Sequence, residues 1–142
     1  MKKFIITCFV LIFSTVAHAQ TSEVVGKWKT IDDETGQAKS IVEIFKKSDG
    51  KYYGKIVNLL LKPENDNCVK CSDDRKNKPL IGLEIIRGLK KDGNEFTGGT
   101  ITDPKTGKTY KCTITRDGDK LNVRGYIGFA LIGRTQVWTA SK

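Results

Sequence analysis

The sequence predicts an all-β fold, a single antiparallel up-and-down barrel of eight strands, and three observations carry that prediction. From about residue 20 onward, short runs rich in β-branched and aromatic residues alternate with turn residues, with no break in the pattern. The separators include Ser48-Asp49-Gly50, Asp92-Gly93-Asn94, Asp103-Pro104-Lys105-Thr106-Gly107 and Asp117-Gly118-Asp119. Such turns join neighbouring strands, because glycine takes the positive φ and proline presets the first corner. Apolar residues at helical spacing are not sustained anywhere in this part of the chain. Eight strands connected in this way close into a barrel and leave no exposed edge.

Ahead of the barrel, Lys2 and Lys3 precede the apolar run Phe4–Phe13, which is too short to span a bilayer as a helix. Small residues follow, ending in Ala17-His18-Ala19 before Gln20. A basic start, a short apolar core and an A-x-A site predict a signal peptide at residues 1–19, cleaved to release a barrel domain at 20–142. The expected product is exported, periplasmic or secreted, with no transmembrane anchor. Cys8 falls inside the apolar core, where a lipid-attachment cysteine would not stand.

The strands are expected near 24–31, 39–47, 51–60, 80–89, 94–102, 108–116, 119–127 and 133–140. Tyr110, Cys112 and Ile114 alternate with polar neighbours and should face inward. Ile81, Leu83, Ile85 and Leu89 share one parity, with Arg87 among them, and Glu84 stands in the same apolar segment. Phe96 and Ile101 have opposite parity, so both reach the interior only if the chain bulges at Gly98-Gly99. Residues 61–79 form one long connection, a length that in a compact domain is usually functional or mobile.

Composition removes several chemistries. The only His is His18, inside the expected signal, so the processed chain cannot run a Ser-His or Cys-His mechanism or offer imidazole to a metal. Net charge is +9, and Lys2 and Lys3 account for two of these, leaving +7 after processing. A basic balance fits polyanions, but the lysines are interleaved with acids, and export argues against nucleic acid as the partner. The acids Glu64, Asp66, Asp73 and Asp74 lack the spacing of a calcium loop. No nucleophile setting is recognisable, no cofactor is implied, and the expectation is a protein that is not an enzyme.

Gly26-x-Trp28, Pro79-Leu80-Ile81-Gly82-Leu83, Gly98-Gly99-x-Ile101-x-Asp103-Pro104-x-x-Gly107-Lys108-x-Tyr110, Leu121-x-Val123-Arg124-Gly125-Tyr126-Ile127-Gly128 and Gly133-Arg134-Thr135-Gln136-x-Trp138 follow one another along nearly the whole processed chain. In order and spacing this series resembles the bacterial family called domain of unknown function 2147. The resemblance implies a lipocalin-like barrel in an exported protein whose ligand is not established. Gly26-x-Trp28 is also similar to the first-strand signature of lipocalins, in which an arginine from the last strand packs over the tryptophan at the closed end. Arg134 is the matching candidate, with Arg124 second.

Cys68, Cys71 and Cys112 remain after processing. A local Cys68–Cys71 disulfide is one reading in an oxidising compartment, and a bridge from Cys112 to one loop cysteine is another. A redox pair would need a helix N-terminus, and zinc would need two more ligands. For function, two classes stand. One is a non-catalytic carrier or sensor that holds a small apolar or amphiphilic ligand, with an acidic headgroup, among Trp28, Tyr53, Ile85, Phe96, Arg124, Arg134 and Trp138. The other is an envelope interaction protein with a filled barrel that works through its loops, where the apolar stretch 127–132 is either a ligand rim or a partner patch.

Overall fold

The computed structural model describes residues 23–128 and 132–141. The expected signal peptide and its cleavage site lie outside the described residues. The eight strands are β1 Gly26–Ile31, β2 Ala38–Lys46, β3 Tyr52–Leu59, β4 Glu84–Asp92, β5 Glu95–Thr102, β6 Thr109–Asp117, β7 Lys120–Ile127 and β8 Ile132–Ala140. Each pairs antiparallel with its neighbour in sequence, and β8 returns to β1 through Trp28↔Ala140, so the barrel is closed. Among the described residues no helix is long and apolar enough to cross a membrane.

The two ends of the barrel are built differently. At one end Trp28, Ile44, Leu89, Phe96, Ile114 and Leu121 fill the interior, all buried. Tyr52 meets Phe96 edge-on with ring centroids 4.8 Å apart, a geometry worth roughly 0.5–1.5 kcal/mol beyond area burial. Val24 lies across this end, where its carbonyl accepts the Trp28 Nε1–H at 2.9 Å and leaves no buried indole N–H unpaired. This is the closed end. Toward the other end the inward positions include Thr30, Ser40 and Gly125, which occupy far less volume.

The bulge expected at Gly98-Gly99 is present. Phe96 pairs with Ile114 and Gly99 with Cys112, so three residues of β5 advance against two of β6 and the inward parity is restored for Ile101. Only glycine fits at position 99, because a Cβ there would stand 2.3 Å from the Arg87 carbonyl oxygen and 2.7 Å from the Leu89 nitrogen.

β4 departs most from expectation. It begins at Glu84 instead of residue 80, and Ile81 is exposed in the preceding connection, not inward with Leu83. Register shifts on both sides of Gly54↔Ile86 put Ile85 and Ile86 in consecutive buried positions. Simple alternation cannot place two neighbouring residues inside, so Ile86 joins the interior although its parity set it outside, while Leu83, Ile85 and Leu89 are buried as expected. Arg87 and Glu84 consequently lie on the outer wall.

Candidate functional site

Between the closed end and the opposite rim lies a cavity of about 600 Å³. Its inner wall is apolar: Ile56, Ile85, Ile101, Val123 and Trp138. Trp138 comes from β8, where even-numbered residues face inward, and its Nε1–H donates to Gln136 Oε1 at 2.9 Å. Gln136 then donates from Nε2 to Asp33 Oδ2 at 2.8 Å, and Arg134 Nη2 sits 2.7 Å from the same carboxylate oxygen. One strand thus carries a ladder from an indole in the depth of the cavity, through an amide, to a guanidinium at its mouth. Tyr110, two strands away on β6, also lines the cavity, and its hydroxyl makes no hydrogen bond among the described residues.

The remaining polar groups on the wall satisfy one another. Thr30 Oγ1 and Ser40 Oγ are 2.7 Å apart, and Thr102 Oγ1 is 2.8 Å from Thr109 Oγ1. Such mutual pairing keeps buried hydroxyls from incurring a desolvation penalty and leaves the wall without a bare charge.

The mouth is framed by the β1–β2 turn, the 60–83 connection, the β5–β6 turn and the ends of β7 and β8. Basic side chains predominate there. Lys39, Lys62, Lys70, Lys105 and Arg134 face Asp33, Glu64 and Asp103. Lys105 pairs with Glu34 at 3.4 Å, which raises its pKa, whereas Lys39, Lys62 and Lys70 make no ion pair among the described residues.

The 60–83 connection is ordered by a disulfide between Cys68 and Cys71, with Cys112 left free and buried. Cys68 exchanges backbone hydrogen bonds with Lys78 and Asn77, and Leu80 N–H reaches Asp66. Cys68 Sγ packs 3.7 Å from the Pro104 carbonyl oxygen, and Gly107 approaches Lys70 so closely that a Cβ would lie 1.9 Å from its carbonyl oxygen. The segment is therefore docked on the β5–β6 turn, and Leu61, Lys62, Val69 and Leu80 contribute to the cavity wall.

At its far side Arg75, buried, donates to both oxygens of Asp73 and to the Glu84 carbonyl. The Arg75 guanidinium holds the Asp73 carboxyl well below the usual carboxylate range. Next to it, Arg87 is clamped by Asp74 at 2.7 and 2.9 Å, which raises its pKa, and also pairs with Glu84. Burial opposes ionisation of Glu84, but Lys47 at 2.7 Å and Arg87 more than offset it, and the net shift is downward.

The expected ligand residues divide cleanly. Ile85, Arg134 and Trp138 are on the cavity wall. Trp28 and Phe96 are packed in the closed end and do not line the cavity, because large side chains close the barrel beneath it. Tyr53 is on the outer wall, hydrogen-bonded to Asp49 and beneath Lys47 Nζ at 4.0 Å, since Tyr52 and Gly54 take the inward positions of β3. Arg124 is on the outer side of β7, between inward Val123 and Gly125. Arg87, held in its outer-wall ion pairs, does not reach the cavity either.

The arginine over Trp28 is Arg116, not Arg134 or Arg124. Its guanidinium carbon is 5.3 Å from the indole centroid, and it donates to the carbonyls of Glu23 at 2.6 Å and Gly118 at 2.8 Å. Even-numbered residues of β6 face inward, so Arg116 ends that row at the closed end. Ala140 is the β8 residue beside Trp28, and Arg134 stands six residues away, roughly 20 Å along the strand. Sequence reasoning also missed Gln136 and Asp33. The parity of Gln136 with Trp138 was available, but its pairing with Asp33 depends on barrel closure.

Comparison with protein families decides the relationship: residues 26–140 match the model of DUF2147, described as an uncharacterized protein conserved in bacteria. The chain belongs to this family. A solved structure with a similar course is protein HP1028 from the human pathogen Helicobacter pylori, described as belonging to the lipocalin family. It is 21% identical with a TM-score of 0.75, covering 86% of this chain and 85% of that one, so the likeness is one of fold. No curated protein matches the chain.

Proposed function

We propose that this DUF2147 protein is a non-catalytic carrier or sensor, exported from the cytoplasm, that holds one small amphiphile in its barrel. The observation that carries the reading is the cavity of about 600 Å³ with an apolar inner wall and a basic mouth. Its volume falls within the range usual for small-molecule sites, and such sites combine apolar walls with a few placed polar groups. An apolar chain would lie against Ile85, Ile101, Val123 and Trp138, gaining about 25 cal/mol per Å² removed from water before the costs of association. An acidic headgroup would lie at the mouth near Arg134 and Lys39. The ligand leaves as it entered, because the polar groups of the inner wall are an amide, the paired hydroxyls of Thr30 and Ser40, and the phenol of Tyr110, with no base beside it to activate a nucleophile. The disulfide fits an oxidising compartment, which supports export. A filled barrel acting only through its loops is favoured less, since the upper half is not filled.

The chain has two tryptophans, one in the cavity wall and one in the closed end, so Trp28→Phe leaves Trp138 as the sole indole reporter. Delipidated Trp28→Phe protein titrated with a fatty-acid and lysolipid panel should show a saturable change in Trp138 emission. Flat titrations at micromolar protein, with no ligand in the native mass spectrum of protein from its source, would overturn the reading.

A further inference from the structure

The exposed apolar side chains are unevenly distributed. Among the described residues seven large apolar side chains are exposed, and three of them, Val69, Ile127 and Ile132, line the mouth of the cavity. The two most exposed, Ile132 at 75% and Ile127 at 61%, pair directly across β7 and β8 and form a lip of the cavity. Isoleucines at such a lip are costly in water unless something covers them. On the 60–83 connection, which lines the same mouth, stand the exposed Lys62 and Lys70, neither in an ion pair among the described residues. The charged residues that line the cavity are five basic against three acidic, with Glu34 beside them on Lys105, and the net charge of +9 includes Lys2 and Lys3, so +7 remains after processing.

We propose that the mouth of the barrel docks on an anionic phospholipid bilayer, with Ile127 and Ile132 entering the interface and Lys62 and Lys70 resting among the headgroups. Apolar side chains ringed by long basic ones are what such an interface takes up. The aliphatic stems of the lysines follow the isoleucines while their ammonium groups stay at phosphate level. Charge complementarity selects the partner, since the mouth is basic and an anionic bilayer supplies a field that falls off within a Debye length. Docked this way, the cavity opens directly onto the acyl-chain region. The docking surface stands on the lip and the lysines alone, so it holds whether or not an amphiphile fills the cavity.

Flotation of the purified exported protein with vesicles tests this. Binding is expected to phosphatidylethanolamine vesicles containing a quarter phosphatidylglycerol, to be absent with phosphatidylcholine, and to fall as salt rises. The pair Ile127→Asp and Ile132→Asp should abolish flotation at an unchanged melting temperature. Lys62→Ala with Lys70→Ala should weaken partitioning about 25-fold, while Lys90→Ala with Lys120→Ala, at the closed end, should change it less than about threefold. Equal binding to neutral vesicles, no flotation of the unmodified protein, or equal losses from both lysine pairs would overturn the proposal. So would a dimer in sedimentation that the two isoleucine substitutions dissolve, because a second copy would then be what covers the lip.

Discussion

The closed end and the mouth of this barrel are built from the same eight strands, yet they do opposite work. At the closed end, short turns bring the strands together around Trp28, Tyr52, Phe96 and Leu121, and Val24 and Arg116 seal what remains. At the mouth, several inward positions are small or polar, the longest connection carries an internal disulfide and docks on the β5–β6 turn, and a cavity of about 600 Å³ persists. The difference shows how a barrel of this size allots its interior: one end is filled with side chains so that the other can stay open. Stability should therefore reside mainly below the cavity and recognition above it.

The largest expected effect tests that division directly. Phe96→Ala removes a fully buried ring and its edge-on partner contact with Tyr52, and should cost about 3–5 kcal/mol in denaturant unfolding. Ile101→Ala, one bulge further along the same strand, borders an existing cavity and should cost less, about 1–2 kcal/mol, because part of its surface has no packed neighbour to lose. Equal costs would mean that the mouth is as tightly packed as the closed end, and the division would fail.

How much of this was legible in the sequence follows the same line. All eight strands were, since β-branched alternation and Asp-Gly turns are local signals, and the Gly98-Gly99 bulge followed from the opposed parities of Phe96 and Ile101. β4 was misplaced because its two bulges break the alternation on which parity depends. The aromatic residues were recognisable as interior, but not which end they fill. That distinction depends on where along the barrel axis each register falls. For the same reason Arg116 went unnoticed beside Trp28, while Arg134 was assigned there although it stands at the mouth. The Asp33–Gln136 contact joins residues about a hundred positions apart and exists only once the barrel closes.

A middle-sized effect is expected from the connection that frames the mouth. Replacing Cys68 and Cys71 with serine removes a constraint on a four-residue ring, for which chain entropy gives roughly 2 kcal/mol. The loss should be local, since the backbone bonds of Cys68 with Lys78 and Asn77 lie within the connection itself. Hydrogen exchange should accelerate at Cys68, Asn77 and Leu80 with little change at Ile114 or Leu121. Cys112 offers an internal control, because burial pushes its thiol up to about 12 and keeps it out of contact with solvent. Alkylation of native protein at Cys112 in the serine variant would show that the effect had spread into the barrel.

The smallest effect on stability, and the sharpest on recognition, is expected at the Arg134–Asp33 pair. The two side chains are 70% and 34% exposed, and a pair this open contributes no more than about 1 kcal/mol to folding. Arg134→Ala should therefore leave the unfolding midpoint nearly unchanged. Its consequence for binding depends on the ligand's head. Asp33 already engages both Arg134 and Gln136, so an acidic headgroup arriving at the mouth competes with a carboxylate for the guanidinium. Removing that competitor with Asp33→Asn should tighten binding of a fatty acid, and Arg134→Ala should weaken it, each about fivefold given the exposure of the site. The corresponding fatty alcohol should bind all three proteins alike, because it presents no charge to the guanidinium. Titrations followed through Trp138 emission give the comparison in one set of measurements. A fatty acid that ignores both substitutions would place its head away from Arg134 and move the recognition of charge to Lys39 or Lys62.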